Sequence, residues 1–155
     1  MNELARTVGA ALKARGLRLA TAESCTGGWV ATEVTAIAGS SDWFERGYVT
    51  YSNAAKREDL GVRDATLLRH GAVSEETARE MAAGALARSG AQVALAITGV
   101  AGPAGGTPQK PVGLVCFAWA LGGKIRSETR RFDGDRESVR RQSVLRALEG
   151  VLESL

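Results

Sequence analysis

The chain has 155 residues, 45% of them apolar, and a formal net charge of +3. That suits one domain over residues 1–155, able to bury roughly 70% of the surface its unfolded form exposes. Its longest apolar runs, Val93–Ile97 and Leu114–Leu121, are far short of the ~20 residues of a membrane span, and the first residues lack a signal-peptide core, so a soluble cytoplasmic protein is expected.

Cys25 and Cys116 share no metal-type spacing, and His70 is the single histidine. A disulfide scaffold and a structural metal are both disfavoured. Positive charge clusters only at Arg130-Arg131 and Arg140-Arg141, without interleaved aromatics; a small anionic substrate explains these pairs as well as a nucleic acid would, and with only the basic balance to support a nucleic-acid partner, none is expected.

In chain order, Glu3 to Ala14 carries apolar residues at helical spacing and is stopped by Gly16. Leu17 to Ala22 reads as a strand, and Gly27 to Ile37 resumes helical periodicity up to Gly39. Gly47–Tyr51 is β-branched and aromatic, and reads as a second strand after a loop carrying Trp43 and Phe44. Those two aromatics suit either the core or a surface through which the chain forms a homo-oligomer. Asn53 to Leu60 and Arg63 to Arg69 read as short helices. Ser74 resembles an N-cap for an alanine-rich helix running to Arg88.

Ala91 to Thr98, a continuous apolar run between Gly90 and Gly99, suits a central strand buried on both faces. The glycine-rich loop Gly99–Gly106 follows. Val112 to Leu121 and Lys124 to Phe132 are joined by Gly122-Gly123, a two-residue hairpin signal, and Asp135 to Leu152 closes as an amphipathic helix. The expected fold is α/β: a three-layer α/β/α sandwich with a mixed, mostly parallel five-stranded sheet, a C-terminal β-hairpin and a final helix.

The segment richest in chemistry is Thr21-Ala22-Glu23-Ser24-Cys25-Thr26-Gly27-Gly28, where a strand end meets a helix start. Unpaired N–H groups gather at such a junction, and anions bind there. Ser24 needs a base to act as a nucleophile. His70, between two helix-end signals, suits a surface or capping role. Lys56 can serve if a dry site lowers its pKa. With the first two strands as parallel neighbours, Ser24, Tyr51 and Lys56 meet at one sheet edge. The same residues also suit plain roles: Ser24 as an N-cap, Lys56 as a solvated helix lysine, Tyr51 as a half-buried strand residue. Cys25 is a rival nucleophile, since a helix N-terminus can lower a thiol pKa. The Tyr51–Lys56 spacing and the lack of G-x-G-x-x-G disfavour hydride transfer, and no Gly-Lys-Ser/Thr marks a Walker A loop.

The Thr21–Gly28 block, Gly39-Ser40-Ser41 through Trp43-Phe44, Tyr51-Ser52-Asn53 with Lys56, Gly71–Ser74, Thr98–Pro103, Lys110–Gly113 and Gly134-Asp135-Arg136 run in order across nearly the whole chain. Together they resemble the CinA C-terminal domain family. The resemblance implies nicotinamide mononucleotide deamidase activity in pyridine nucleotide salvage, in a stand-alone form without the large N-terminal domain of full-length CinA proteins. It implies Ser24 as nucleophile, Lys56 as base and Tyr51 as its partner in proton transfer, with no cofactor and no metal. Thr26, Gly27 and Gly28, the Gly99–Gly102 turn, and Arg140 or Arg141 are candidates for the ribose phosphate, and Glu23 and Thr98 complete the substrate-binding set. The competing expectation is a catalytically silent nucleotide-binding or interaction module linked to competence or DNA damage.

Overall fold

The computed structural model describes residues 1–155. Six α-helices and five strands follow in the order α1 (Asn2–Ala14), β1 (Leu19–Glu23), α2 (Trp29–Thr35), β2 (Phe44–Val49), α3 (Asn53–Leu60), α4 (Asp64–His70), α5 (Glu75–Ser89), β3 (Val93–Gly99), β4 (Leu114–Leu121), β5 (Lys124–Arg131) and α6 (Arg136–Ser154). The sheet order is β2-β1-β3-β4-β5. β1 runs parallel to both β2 and β3, whereas β4 and β5 are antiparallel additions closed by the Gly122-Gly123 turn. This is the α/β/α sandwich with a mixed sheet that the sequence predicts.

Side chains alternate across a strand, so each strand supplies both layers. On one face Leu19, Val93, Leu95, Ile97, Val115, Phe117 and Trp119 pack against α1, α2 and α6. On the other, Ala20, Ala22, Ala94, Ala96, Cys116, Ala118 and Ala120 meet Ala78, Met81, Ala82 and Ala85 of α5. Small residues on both sides let α5 lie close to the sheet. α3 is held equally close, since a Cβ added at Gly84 would fall 1.9 Å from the Leu60 carbonyl oxygen.

Helix ends follow their sequence signals. Ser52, Ser74 and Asp135 accept from the amides of Ala55, Thr77 and Ser138 at 3.0, 3.1 and 2.9 Å, and Gly61 and Gly90 end α3 and α5 in left-handed backbone.

The main departure is β2, which starts at Phe44, three residues before the predicted Gly47, and ends at Val49. Trp43 is buried in the α1–α2–α6 core and lies against α1, where a Cβ at Gly9 would come 2.5 Å from its ring. Phe44 is partly buried against the same core. These aromatics therefore provide no exposed self-association surface. β1 extends one residue further than predicted and takes Glu23 into the sheet. That shift decides what Glu23 does.

Candidate active site

β2, β1 and β3 are parallel, so their C-terminal ends share one rim of the sheet. Register sets Glu23 opposite Val49 on one side and Ile97 on the other. The pairing continues as Thr50 N donates to Glu23 O at 2.9 Å and Ser24 N donates to Ile97 O at 3.0 Å. Ser24 is thereby fixed at the strand end before the chain turns into α2.

Lys56 arrives from the adjacent rim. α3 begins directly after Thr50-Tyr51-Ser52, and a long helical side chain leans toward its helix N-terminus. The Lys56 ammonium donates to Ser24 Oγ at 2.9 Å, Thr50 O at 2.8 Å and Tyr51 O at 2.9 Å. Lys56 is 1% exposed, and none of its three partners is charged. Burial lowers its pKa from 10.5 to about 8, only partly opposed by Cys25. The nearby N-terminal end of α3 also disfavours a positive charge.

Cys25 behaves in the opposite way. Its thiol is buried, and burial is the largest reason its pKa is pushed up to about 12; its own amide, Arg140 and Lys56 pull against this, while Glu23 adds to it. At neutral pH it is a protonated thiol, which makes it a poor rival to Ser24.

Ser24, Cys25, Tyr51, Lys56, Ala72, Val73, Thr98, Gly99, Ala101 and Arg136 enclose a cavity of about 190 Å³. Thr98 donates its hydroxyl to Ala72 O at 2.8 Å, tying β3 to the loop before α5. Gly99 lets β3 and β4 approach: a Cβ there would stand 2.8 Å from Val115 Cγ2. The amides of Cys25 and Thr26 donate to no main-chain carbonyl. No three His, Cys, Asp or Glu side chains converge as a metal would require.

The remaining predicted residues fall elsewhere. Glu23 is fully buried, and its carboxylate accepts from Thr26 Oγ1 at 2.6 Å, Val30 N at 2.9 Å and Ala31 N at 3.1 Å. It occupies the first-turn amides of α2 that an incoming anion would need. Arg140 clamps the outside of the same turn, donating to Cys25 O at 3.0 Å and Thr26 O at 3.1 Å. Glu23 and Arg140 thus hold the turn, and Thr26 is fully buried within it. Thr26, Gly27 and Gly28 line a larger neighbouring cavity of about 660 Å³ with Trp29, Thr32, Arg136, Glu137 and Arg140. Arg141 is exposed, pairs with Glu137 at 3.4 Å and borders neither cavity.

Tyr51 reaches Lys56 through its carbonyl; its hydroxyl accepts from Arg136 at 3.3 Å. Arg136 also donates to Gly102 O at 2.7 Å and borders both cavities. Arg140 borders the larger cavity too, so Arg136 joins it there as a further candidate to meet an anion. Its signal lay in Gly134-Asp135-Arg136, since a residue opening α6 beside the Asp135 cap faces the rim. His70 ends α4, with Nδ1 3.4 Å from Glu76, and is not among the cavity residues.

The model of the CinA C-terminal domain family matches residues 1–155. The nicotinamide-nucleotide amidohydrolase PncC of Pseudomonas putida is 53% identical over 150 residues, which are 97% of this chain and 94% of that protein. That of Escherichia coli strain K12 is 58% identical over 151 residues, 95% of this chain and 90% of that one. Among solved structures, the competence/damage inducible protein CihA from Agrobacterium tumefaciens matches with a TM-score of 0.95 at 49% identity, covering 98% of this chain and 93% of its own.

Proposed function

This chain belongs to the CinA C-terminal domain family, and from that premise we propose that it is a nicotinamide-nucleotide amidohydrolase, converting nicotinamide mononucleotide and water to nicotinate mononucleotide and ammonia through a Ser24 acyl-enzyme. The observation that carries this reading is the 2.9 Å contact between Lys56 Nζ and Ser24 Oγ, both of them buried.

A neutral Lys56 has two N–H bonds and one lone pair. The carbonyls of Thr50 and Tyr51 accept the two N–H bonds, so the lone pair faces the Ser24 hydroxyl, which donates to it. Lys56 takes that proton as Oγ attacks the carboxamide carbon. Main-chain amides of the turn after Ser24, of which that of Cys25 borders the cavity, receive the oxyanion, and Arg140 and Glu23 fix that turn. Lys56 then returns the proton to the leaving nitrogen, ammonia departs, and an ester remains on Ser24. Water attacks the ester, Lys56 accepts its proton, and the C–O bond to Ser24 breaks to release the nicotinate carboxylate and restore the hydroxyl.

Arg136 is the phosphate partner that best fits this reading, because it stands between the cavity containing Ser24 and the larger one beside it. No helix is long and apolar enough to cross a membrane, and a nucleotide substrate suits an enzyme of the cytoplasm. Self-association into a homo-oligomer is expected and is read by light scattering. Ammonia release from nicotinamide mononucleotide, compared between wild type, Ser24→Ala and Lys56→Ala, tests the assignment. Release by wild type alone supports it; no release by folded wild type favours the silent nucleotide-binding module.

A further inference from the structure

Tyr51 is placed like a binding surface. It borders the cavity yet is 62% exposed, among the most exposed large apolar side chains of the molecule. Its hydroxyl is held 3.3 Å from Arg136, whose other nitrogen is fixed 2.7 Å from the Gly102 carbonyl. The start of α3, the glycine-rich loop and the start of α6 are thus linked across the cavity mouth, with the Tyr51 ring at its rim.

The charges of the cavity define what that ring can recognise. Its charged side chains are Lys56 and Arg136, and no carboxylate contributes to its wall. The one nearby buried carboxylate, Glu23, is occupied by Thr26 and the α2 amides. A cationic ring entering here finds no anionic partner and must be attracted in another way. The face of an aromatic ring supplies such an attraction through its quadrupole.

We propose that Tyr51 is a specificity-determining residue whose ring stacks on the cationic pyridinium of the substrate, steadied at its hydroxyl by Arg136, and that this hydroxyl takes no part in proton transfer. The inference rests on the amidohydrolase reading for the identity of the ring. It explains why the contact between Tyr51 and Lys56 is made by a main-chain carbonyl, which any residue supplies, while the side chain turns to the rim. It also separates two tasks on one substrate: Tyr51 takes the positive ring, and Arg136 remains available to the negative phosphate.

The test compares nicotinamide mononucleotide with its 1,4-dihydro form, which keeps the carboxamide, ribose and phosphate but has a neutral ring. Dissociation constants are measured calorimetrically in Ser24→Ala, which blocks turnover, with and without Tyr51→Leu and Tyr51→Phe. Tyr51→Leu is expected to weaken the pyridinium form about tenfold and the dihydro form less than twofold. In the otherwise native enzyme, Tyr51→Phe is expected to lose about threefold in kcat/KM, through KM, as the Arg136 tether goes. A fall in kcat of about a hundredfold or more in Tyr51→Phe would return the hydroxyl to the proton path and overturn the proposal. So would equal weakening of both ring forms in Tyr51→Leu. Failure of wild type to release ammonia overturns the amidohydrolase reading instead, because the Ser24→Ala titrations still decide whether Tyr51 discriminates ring charge; if neither ring form binds, both fall.

Discussion

Two buried charges flank Ser24, and they are solvated in opposite ways. On the α3 side Lys56 places a cation among two carbonyls and a hydroxyl. On the α2 side Glu23 places an anion among two amides and a hydroxyl. Neither has an oppositely charged partner among these contacts. The amides that Glu23 accepts from lie at a helix N-terminus, where the dipole favours negative charge, whereas Lys56 sits at the same kind of terminus with the disfavoured sign. The first arrangement stabilises a turn; the second weakens the hold of Lys56 on its proton. Stability and chemistry are thus built within a few residues of each other from the same kind of contact.

Removing either charge should separate the two roles. Lys56→Met is expected to lower kcat/KM by about a thousandfold or more, since no other side chain stands in position to take the Ser24 proton. It should leave the fold intact and abolish the rise in stability that the wild type shows with pH between about 8 and 10.5. The sign follows from the pKa: the folded state binds the Lys56 proton more weakly than the unfolded state. Stability therefore rises with pH between about 8 and 10.5, and below about 8 the native protein bears the full cost of the buried ammonium, about 3 kcal/mol. A rise in stability over that range that persists in Lys56→Met would show that Lys56 is not its source.

Glu23→Ala should do the reverse. It strands the amides of Val30 and Ala31 and the Thr26 hydroxyl, for a loss of about 2–4 kcal/mol in denaturant unfolding. Unchanged unfolding would remove Glu23 from its scaffolding role. Arg136→Ala, further from both charges, should raise KM about tenfold with a much smaller change in kcat, as steady-state kinetics would read. Cys25→Ala should cost least: the buried thiol is no nucleophile and its amide remains, so kcat should stay within about threefold of wild type. Loss of activity there would move the nucleophile by one residue.

The convergence of Ser24 with Lys56 is legible in the sequence because it needs only that the first two strands be parallel neighbours and that α3 start at once after the second. Period and turn signals carry that much. The role of Glu23 is not legible, because a carboxylate before a helix reads as part of an anion site until β1 is known to extend through it. Trp43 is hidden for a similar reason. Its partner is Gly9, in a helix more than thirty residues away, and nothing local distinguishes a loop aromatic from one filling that gap. Arg140 and Arg141 stand out as a pair, but their tasks depend on which carbonyl or carboxylate each meets: Arg140 ties down the Ser24 turn, and Arg141 pairs with Glu137 at the surface.

The central claim is that a neutral Lys56 activates Ser24. The pH dependence of kcat/KM for ammonia release from nicotinamide mononucleotide between pH 6.5 and 9 tests it most directly. The account predicts a rate that climbs nearly tenfold per pH unit on the acid side and levels off through a single ionisation near the Lys56 pKa of about 8. A profile flat across that range, or one already level by pH 7, would contradict it.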